Sequence, residues 1–244
     1  MCWSLEVSAG LAVVGIAGAI YSYRKGDSSL LWIPLAYFAG MELLQALSYP
    51  VIDNCSSTQN QMLTLLSYFH IAFQPFFFNA IYMYFIPKGV RHRIQPFVYA
   101  FCFAVVIIML TRIYPIDGIT QCQLGSTLCG PQLCSVSGTW HLAWSLPLNN
   151  ALPYVPAYAL AVFVLPLLYG SWKAVIFGVL SGPVLAYLTT SNVNEQPAVW
   201  CLFSVALLII VVFTKLRDML HVHTFIWWPK SWTHGHQPKP SIHE

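Results

Sequence analysis

The sequence predicts an all-α fold, a polytopic membrane bundle of seven transmembrane helices, on three observations. First, of 244 residues 57% are apolar and only 8% are charged, whereas a soluble domain carries about 25% charge. Eleven cations and eight carboxylates cannot cover a water-facing surface of this size, so much of the surface faces lipid. Second, apolar stretches near the roughly 20 residues needed to span a bilayer recur along the chain. Third, lysine and arginine fall in alternate connections. A net charge of +3 also argues against a nucleic-acid partner, because it offers no basic stripe.

The spans are expected at 7–23, 30–51, 62–86, 97–113, the end of 136–169, 174–189 and 198–214. The start, Met1 to Glu6, has no basic region and runs into an apolar stretch of membrane length, so it reads as a first span and not as a cleaved signal. The stretch 136–169 is too long for one span and holds Pro147, Pro153 and Pro156, which break a helix. Residues 136–148 therefore read as a re-entrant helix before span five, or as part of one long kinked helix. Residues 1–214 form one transmembrane domain, and 215–244 form a cytoplasmic, interfacial tail rich in Trp and His.

With seven spans, Arg24, Lys25, Lys88, Arg91, Arg93, Lys173, Lys215, Arg217, Lys230 and Lys239 share one side, and Arg112 lies on the other. The positive-inside rule then places the N-terminus outside and the C-terminus in the cytoplasm. Cys55, Cys122, Cys129 and Cys134 fall in two outer loops, where an oxidising compartment favours disulfides. Three pairings are open, and a bridge from Cys55 to the later loop would tie four spans together. The spacing of the three later cysteines matches no zinc pattern well. Cys2 and Cys201 also lie toward the outside, and Cys102 toward the inside.

Against this apolar background a few polar residues stand out. Glu42 sits within span two, with Gln45 three residues on and so on nearly the same face. A carboxylate at that depth costs several kcal/mol unless paired or facing a polar cavity, which makes it a functional candidate. In span three, Ser67, His70 and Gln74 lie along one face, with Pro75 and Asn79 following. At about 1.5 Å per residue, Glu42 and His70 reach nearly the same depth. His141, with Ser145 and Asn149 at helical spacing, extends a polar stripe toward the outer face.

Two imidazoles and a carboxylate suit a transition metal such as zinc, copper or iron, so Glu42, His70 and His141 are the candidate metal ligands. Gln45, Ser67, Gln74 and Asn149 are the candidate cofactor-binding partners around them. Haem or a pigment would be a further use of the histidines, although no CxxCH motif marks covalent haem. No lysine lies inside a span, which excludes a retinal Schiff base, and no nucleophile elbow is present. In the tail, Trp227, Trp228 and Trp232 mix with Lys, Arg and His, a pattern suited to the membrane interface or to a membrane-complex partner. His221 with His223, and His234 with His236, are weaker metal pairs.

The opening Met-Cys-Trp-Ser-Leu-Glu-Val-Ser, the Met-Glu-Leu-Leu-Gln stretch, Tyr-Phe-His-Ile-Ala-Phe-Gln-Pro, Cys-Ser-Val-Ser-Gly-Thr-Trp-His and Pro-Ala-Val-Trp-Cys together resemble a family of small bacterial polytopic membrane proteins of unassigned function. The resemblance runs from Met1 to about Phe213 and implies a bacterial inner-membrane protein; it supplies no reaction. The functional expectation is an outward-facing intramembrane pocket built on Glu42, His70 and His141 that holds a metal or small cofactor. The alternative is a non-catalytic accessory subunit of a respiratory or photosynthetic complex. A proton-coupled transporter titrating Glu42 comes third.

Overall fold

The computed structural model describes residues 4–152 and 154–233; Cys2, Pro153, His234, His236 and Lys239 lie outside the described residues. Four helices come first: α1 (Leu5–Arg24), α2 (Ser29–Ser48, continued by a 3-10 turn to Val51), α3 (Thr58–Tyr84) and α4 (Lys88–Thr111). Their short connections force antiparallel neighbours. Ser28 and Ser57 accept from the backbone N–H groups of Leu30 and Asn60, which caps α2 and α3 at their starts. Pro34, Pro75 and Pro96 lie inside α2, α3 and α4, where neighbouring helices satisfy the freed backbone.

Three further rods complete the bundle. The fifth, α5 (154–168), is helical to Ala159, a π-helix over Leu160–Val164, and helical again over Leu165–Leu168. The sixth, α6 (Trp172–Thr189), has a π-helix at Leu180–Val184 that contains Pro183. The seventh, α7 (Gln196–Phe213), begins with Pro197 in its first turn and packs on α1, α2 and α6. At the α1–α2–α7 crossing, a Cβ added to Gly15 would sit 2.7 Å from Ala39 Cβ and 3.0 Å from Val205 Cγ1. Small residues let these helices approach closely, as membrane packing requires.

Among the described residues, five of these rods, namely α1, α2 with its 3-10 turn, α4, α6 and α7, are long and apolar enough to cross a membrane. The other two differ for separate reasons. Polar side chains run along the 27 residues of α3, most of them turned inward, while the described apolar part of α5 is short (Pro156–Leu168). The helix α4 also starts at Lys88, well before the apolar stretch expected from 97, because the polar first turns continue the same helix.

The expected re-entrant helix over 136–148 is corrected by the structure. That stretch belongs to an antiparallel hairpin, β1 (Cys134–Ser137) and β2 (Leu142–Ser145), pairing Cys134 with Ser145 and Ser137 with Leu142. The reason lies outside the segment. Asn60 on α3 accepts from Ser135 N at 2.8 Å and donates to Ser135 O at 3.0 Å. Asp53 accepts from Ser137 N at 2.7 Å, and Trp144 N donates to Asn194 O at 3.1 Å. Each of these satisfies a backbone group that a helix would have satisfied internally.

The cysteine alternatives resolve in the same region. Cys55 pairs with Cys134 and Cys122 with Cys129, while Cys102 and Cys201 are buried free thiols. The first bridge ties the α2–α3 connection to β1, so the hairpin cap is bonded covalently to the bundle.

The segment after α7 folds back over the opposite end. Trp228 Nε1 donates to Tyr169 O at 3.0 Å, and Val222 N donates to Phe85 O at 2.9 Å. Arg93 lies over the Trp232 ring at 5.3 Å. Gly170, at φ +97°, leaves room for Phe225 and Trp228, which an added Cβ would meet at 2.8 and 2.6 Å.

Candidate functional site

The three expected metal ligands occupy three separate settings. His141 lies in the hairpin turn, fully buried. Its Nδ1 is 2.6 Å from the Tyr49 hydroxyl, and its Nε2 meets Gln45 Oε1. An amide oxygen only accepts, so Nε2 carries the proton and Nδ1 accepts from Tyr49. Burial pushes this imidazole down to about 4, partly offset by Glu195, so the ring is neutral at physiological pH.

His70 faces α2 instead. Its Nε2 lies 2.8 Å from Tyr37 O, the Tyr37 hydroxyl donates back to His70 O, and the two rings stack at 3.8 Å. Glu42 is fully buried beside Ser8 of α1. Among the described residues, no group of three or more His, Cys, Asp or Glu side chains is placed to hold a metal ion. The structure therefore does not bring Glu42, His70 and His141 together as one ligand set.

The remaining candidates divide by whether their polar atoms are used. Asn149 caps α4: its Nδ2 donates to Thr111 O at 2.8 Å and to Tyr114 O at 2.7 Å. That role is structural, since the last carbonyls of a helix have no partner within it. Both Glu42 oxygens, Ser8 Oγ, Gln45 Nε2 and Ser67 Oγ are buried without a hydrogen-bond partner among the described residues. Two candidates line cavities: His70 borders an open apolar one with Tyr37, Phe69 and Phe73, and Gln74 borders a second with more polar groups.

The Gln74 cavity holds about 230 Å³ and is lined by Gln74, Met109, Tyr158, Phe163, Gln196 and Trp200, among others. Both π-helical stretches border it, through Phe163 on α5 and Pro183 on α6. Proline explains their presence. A proline lacks an N–H and crowds the carbonyl four residues earlier, and widening to a π turn relieves that crowding, a device common at functional sites. On α5, Pro166 has no N–H to offer the Ala161 carbonyl five residues earlier; that carbonyl accepts from Asn79 Nδ2 at 2.9 Å, and Asn79 Oδ1 accepts from Tyr169 at 3.0 Å.

Trp200 divides this cavity from a smaller one of about 50 Å³ on its other side. Its ring stacks between Phe78 at 5.3 Å and Phe163 at 5.7 Å. Gly182 keeps it there: a Cβ at that position would sit 2.3 Å from Trp200 Nε1. At the polar end of the cavity, the Tyr158 hydroxyl donates to Gln74 Oε1 at 2.6 Å, and Gln74 Nε2 donates to Cys201 Sγ at 3.2 Å. One Gln74 N–H and one lone pair are left over for a ligand. An aromatic wall with a few polar groups, the Gln74 and Gln196 amides and the Tyr158 hydroxyl, suits a mostly apolar molecule with a polar head.

Reading the sequence alone missed Tyr158 and Trp200, which sit among apolar residues with no helical stripe to mark them, and Gln196, which lies in the polar Asn194-Glu195-Gln196-Pro197 run at a helix start. It also missed Glu195, whose carboxylate accepts from Thr139 N at 3.1 Å, Trp140 N at 2.6 Å, His141 N and the Thr190 hydroxyl at 2.7 Å. Its one signal was an acid immediately before Gln-Pro at a helix start.

No curated protein and no solved structure matches the chain. A family model, described as a family of unknown function (DUF5765), matches residues 6–221. The match extends past Phe213 into the segment that folds back on the bundle, and since it covers most of the sequence, the chain belongs to the DUF5765 family of unknown function.

Proposed function

We propose that this is a multi-pass protein of the bacterial cytoplasmic membrane, N-terminus outside, that binds a small, mostly apolar cofactor or substrate through one hydrogen-bonding head. The observation that carries the reading is the cavity bounded by both π-helices, with Trp200 as its aromatic wall and the Tyr158–Gln74 pair at its polar end. A volume of about 230 Å³ falls below the roughly 300 Å³ at which drug-sized pockets begin. The ligand class is therefore a single ring or short chain bearing a carbonyl or hydroxyl, stacked on Trp200 and bonded to the free Gln74 N–H. This reading needs no metal, since no group of three or more His, Cys, Asp or Glu among the described residues is placed to hold one.

The test is to purify the protein from native membranes in mild detergent, extract it with organic solvent and identify co-purifying small molecules by mass spectrometry. One molecule near unit stoichiometry is expected. Gln74→Leu and Trp200→Leu should each lower its retention about tenfold, as loss of a buried polar or aromatic contact of 1–2 kcal/mol implies. An empty protein that instead purifies in a fixed complex with another membrane protein would replace this reading with the accessory-subunit one.

A further inference from the structure

The two ends of the bundle differ sharply in charge. Arg24, Lys25, Lys88, Arg91, Arg93, Lys173 and Lys215 lie at the same end, accompanied by Asp27 and Asp218. The hairpin end has Arg112 with Asp53, Asp117 and Glu195. Opening toward lipid in the cation-rich half is a groove of about 510 Å³ between α2, α3 and α4. Ile33 and Pro34 form one wall, Phe73, Phe76 and Phe77 another, and Gln95 and Tyr99 the third. Ile33 and Phe73 are each 39% exposed, so the protein leaves this apolar trough uncovered.

The polar edge of the groove continues toward the membrane surface along α4. Arg91, Gln95 and Tyr99 are spaced four residues apart on one helix, so they share a face. Arg91 interacts electrostatically with Tyr99 and Tyr84 and is partly exposed. An apolar trough ending at an amide, a phenol and then a guanidinium has the order of polarity of a phospholipid, from acyl chain through glycerol to phosphate. The cation excess at this end selects for negative charge, and a guanidinium binds phosphate oxygens in a fixed fork geometry.

We propose that this groove is a binding site for an anionic phospholipid, with one acyl chain along Phe73, Phe76 and Phe77 and the phosphate at Arg91. The site is separate from the Trp200 cavity and does not depend on what that cavity holds. To test it, the delipidated full-length protein is titrated with phosphatidylglycerol or phosphatidylcholine of identical chains, and bound lipid is counted by native mass spectrometry. Phosphatidylglycerol should bind about fivefold more tightly, the effect of one cation at an anionic headgroup. Arg91→Gln should erase that preference, Lys215→Gln should keep it, and Ala80→Trp, which fills the trough, should weaken both lipids. Equal binding of the two lipids by the unmodified protein, or a preference that survives Arg91→Gln, overturns the proposal. Should Arg91→Gln fail to fold, undiminished binding to Ala80→Trp overturns it on its own.

Discussion

The hairpin cap and the helical bundle both bury polar side chains, but they use them differently. In the cap, Glu195, Asn60, Asp53 and Asn149 each satisfy named backbone groups, although Trp144 Nε1 and Asn194 Oδ1 are left there without a hydrogen-bond partner among the described residues. In the bundle, Glu42, Ser8 and Ser67 are buried without hydrogen-bond partners among the described residues, and Gln74 has bonding capacity left beside a cavity. A buried polar residue in a membrane protein is thus no marker of function by itself. Saturated groups hold a fold together, and unsaturated ones beside open space are where a ligand has something to bind.

If the cap is held by saturation, removing its central acceptor should have the largest effect. Glu195→Ala leaves three backbone N–H groups and the Thr190 hydroxyl without their partner, at about 1–3 kcal/mol for each buried group. A loss of about 5 kcal/mol is expected, read as a fall in thermal midpoint in detergent and as faster proteolysis near Gly138. Glu195→Gln, which keeps one acceptor oxygen, should fall between the two. A midpoint for Glu195→Ala within a degree or two of the unmodified protein would mean that the cap does not rest on this carboxylate.

The cap is also where the sequence was least legible. Helical segments were readable because a membrane span is a local property, about 20 apolar residues whatever surrounds them. Five of the expected apolar stretches are helices long and apolar enough to cross a membrane, and α4 starts earlier than its apolar stretch because its first turns are polar. The hairpin depends instead on partners distant in the chain: Asn60 for Ser135 and Glu195 for the Thr139–His141 turn. His141, Ser145 and Asn149 fit a helical stripe by spacing alone, and nothing local contradicted it. Gln74 was legible as a polar residue in an apolar stretch, but the cavity beside it depends on how α5, α6 and Trp200 pack together.

The two disulfides sharpen the contrast within the cap. Cys55–Cys134 spans 79 residues, whereas Cys122–Cys129 spans seven. Loop-closure entropy gives about 4.5 kcal/mol for the first and about 2.4 kcal/mol for the second. Cys55→Ser should therefore lower the thermal midpoint roughly twice as far as Cys122→Ser. Equal shifts would show that the long bridge does not tie the cap to the bundle in the way its separation implies.

The smallest expected effect is a pH dependence, and its sign follows from the burial of His141. The folded imidazole is held at about 4, against an ordinary 6.5. Between those values the unfolded chain binds a proton that the folded protein excludes, so stability rises with pH across the window. The His141 contribution is intact above pH 6.5 and is lost progressively as pH falls toward 4. With one proton at stake the slope is at most about 1.4 kcal/mol per pH unit, or about 2 kcal/mol between pH 6.5 and 5. His141→Gln removes the titrating group and should flatten that part of the profile, although its midpoint at pH 7.5 also falls because the ring's contacts with Tyr49 and Gln45 are altered. A mutant whose profile between pH 6.5 and 5 is as steep as that of the unmodified protein would place the titrating group elsewhere and leave His141 as packing alone. The Tyr49→Phe variant supplies the counterpart, because losing the hydroxyl donor to neutral Nδ1 should raise the folded value and so narrow the window from its lower edge.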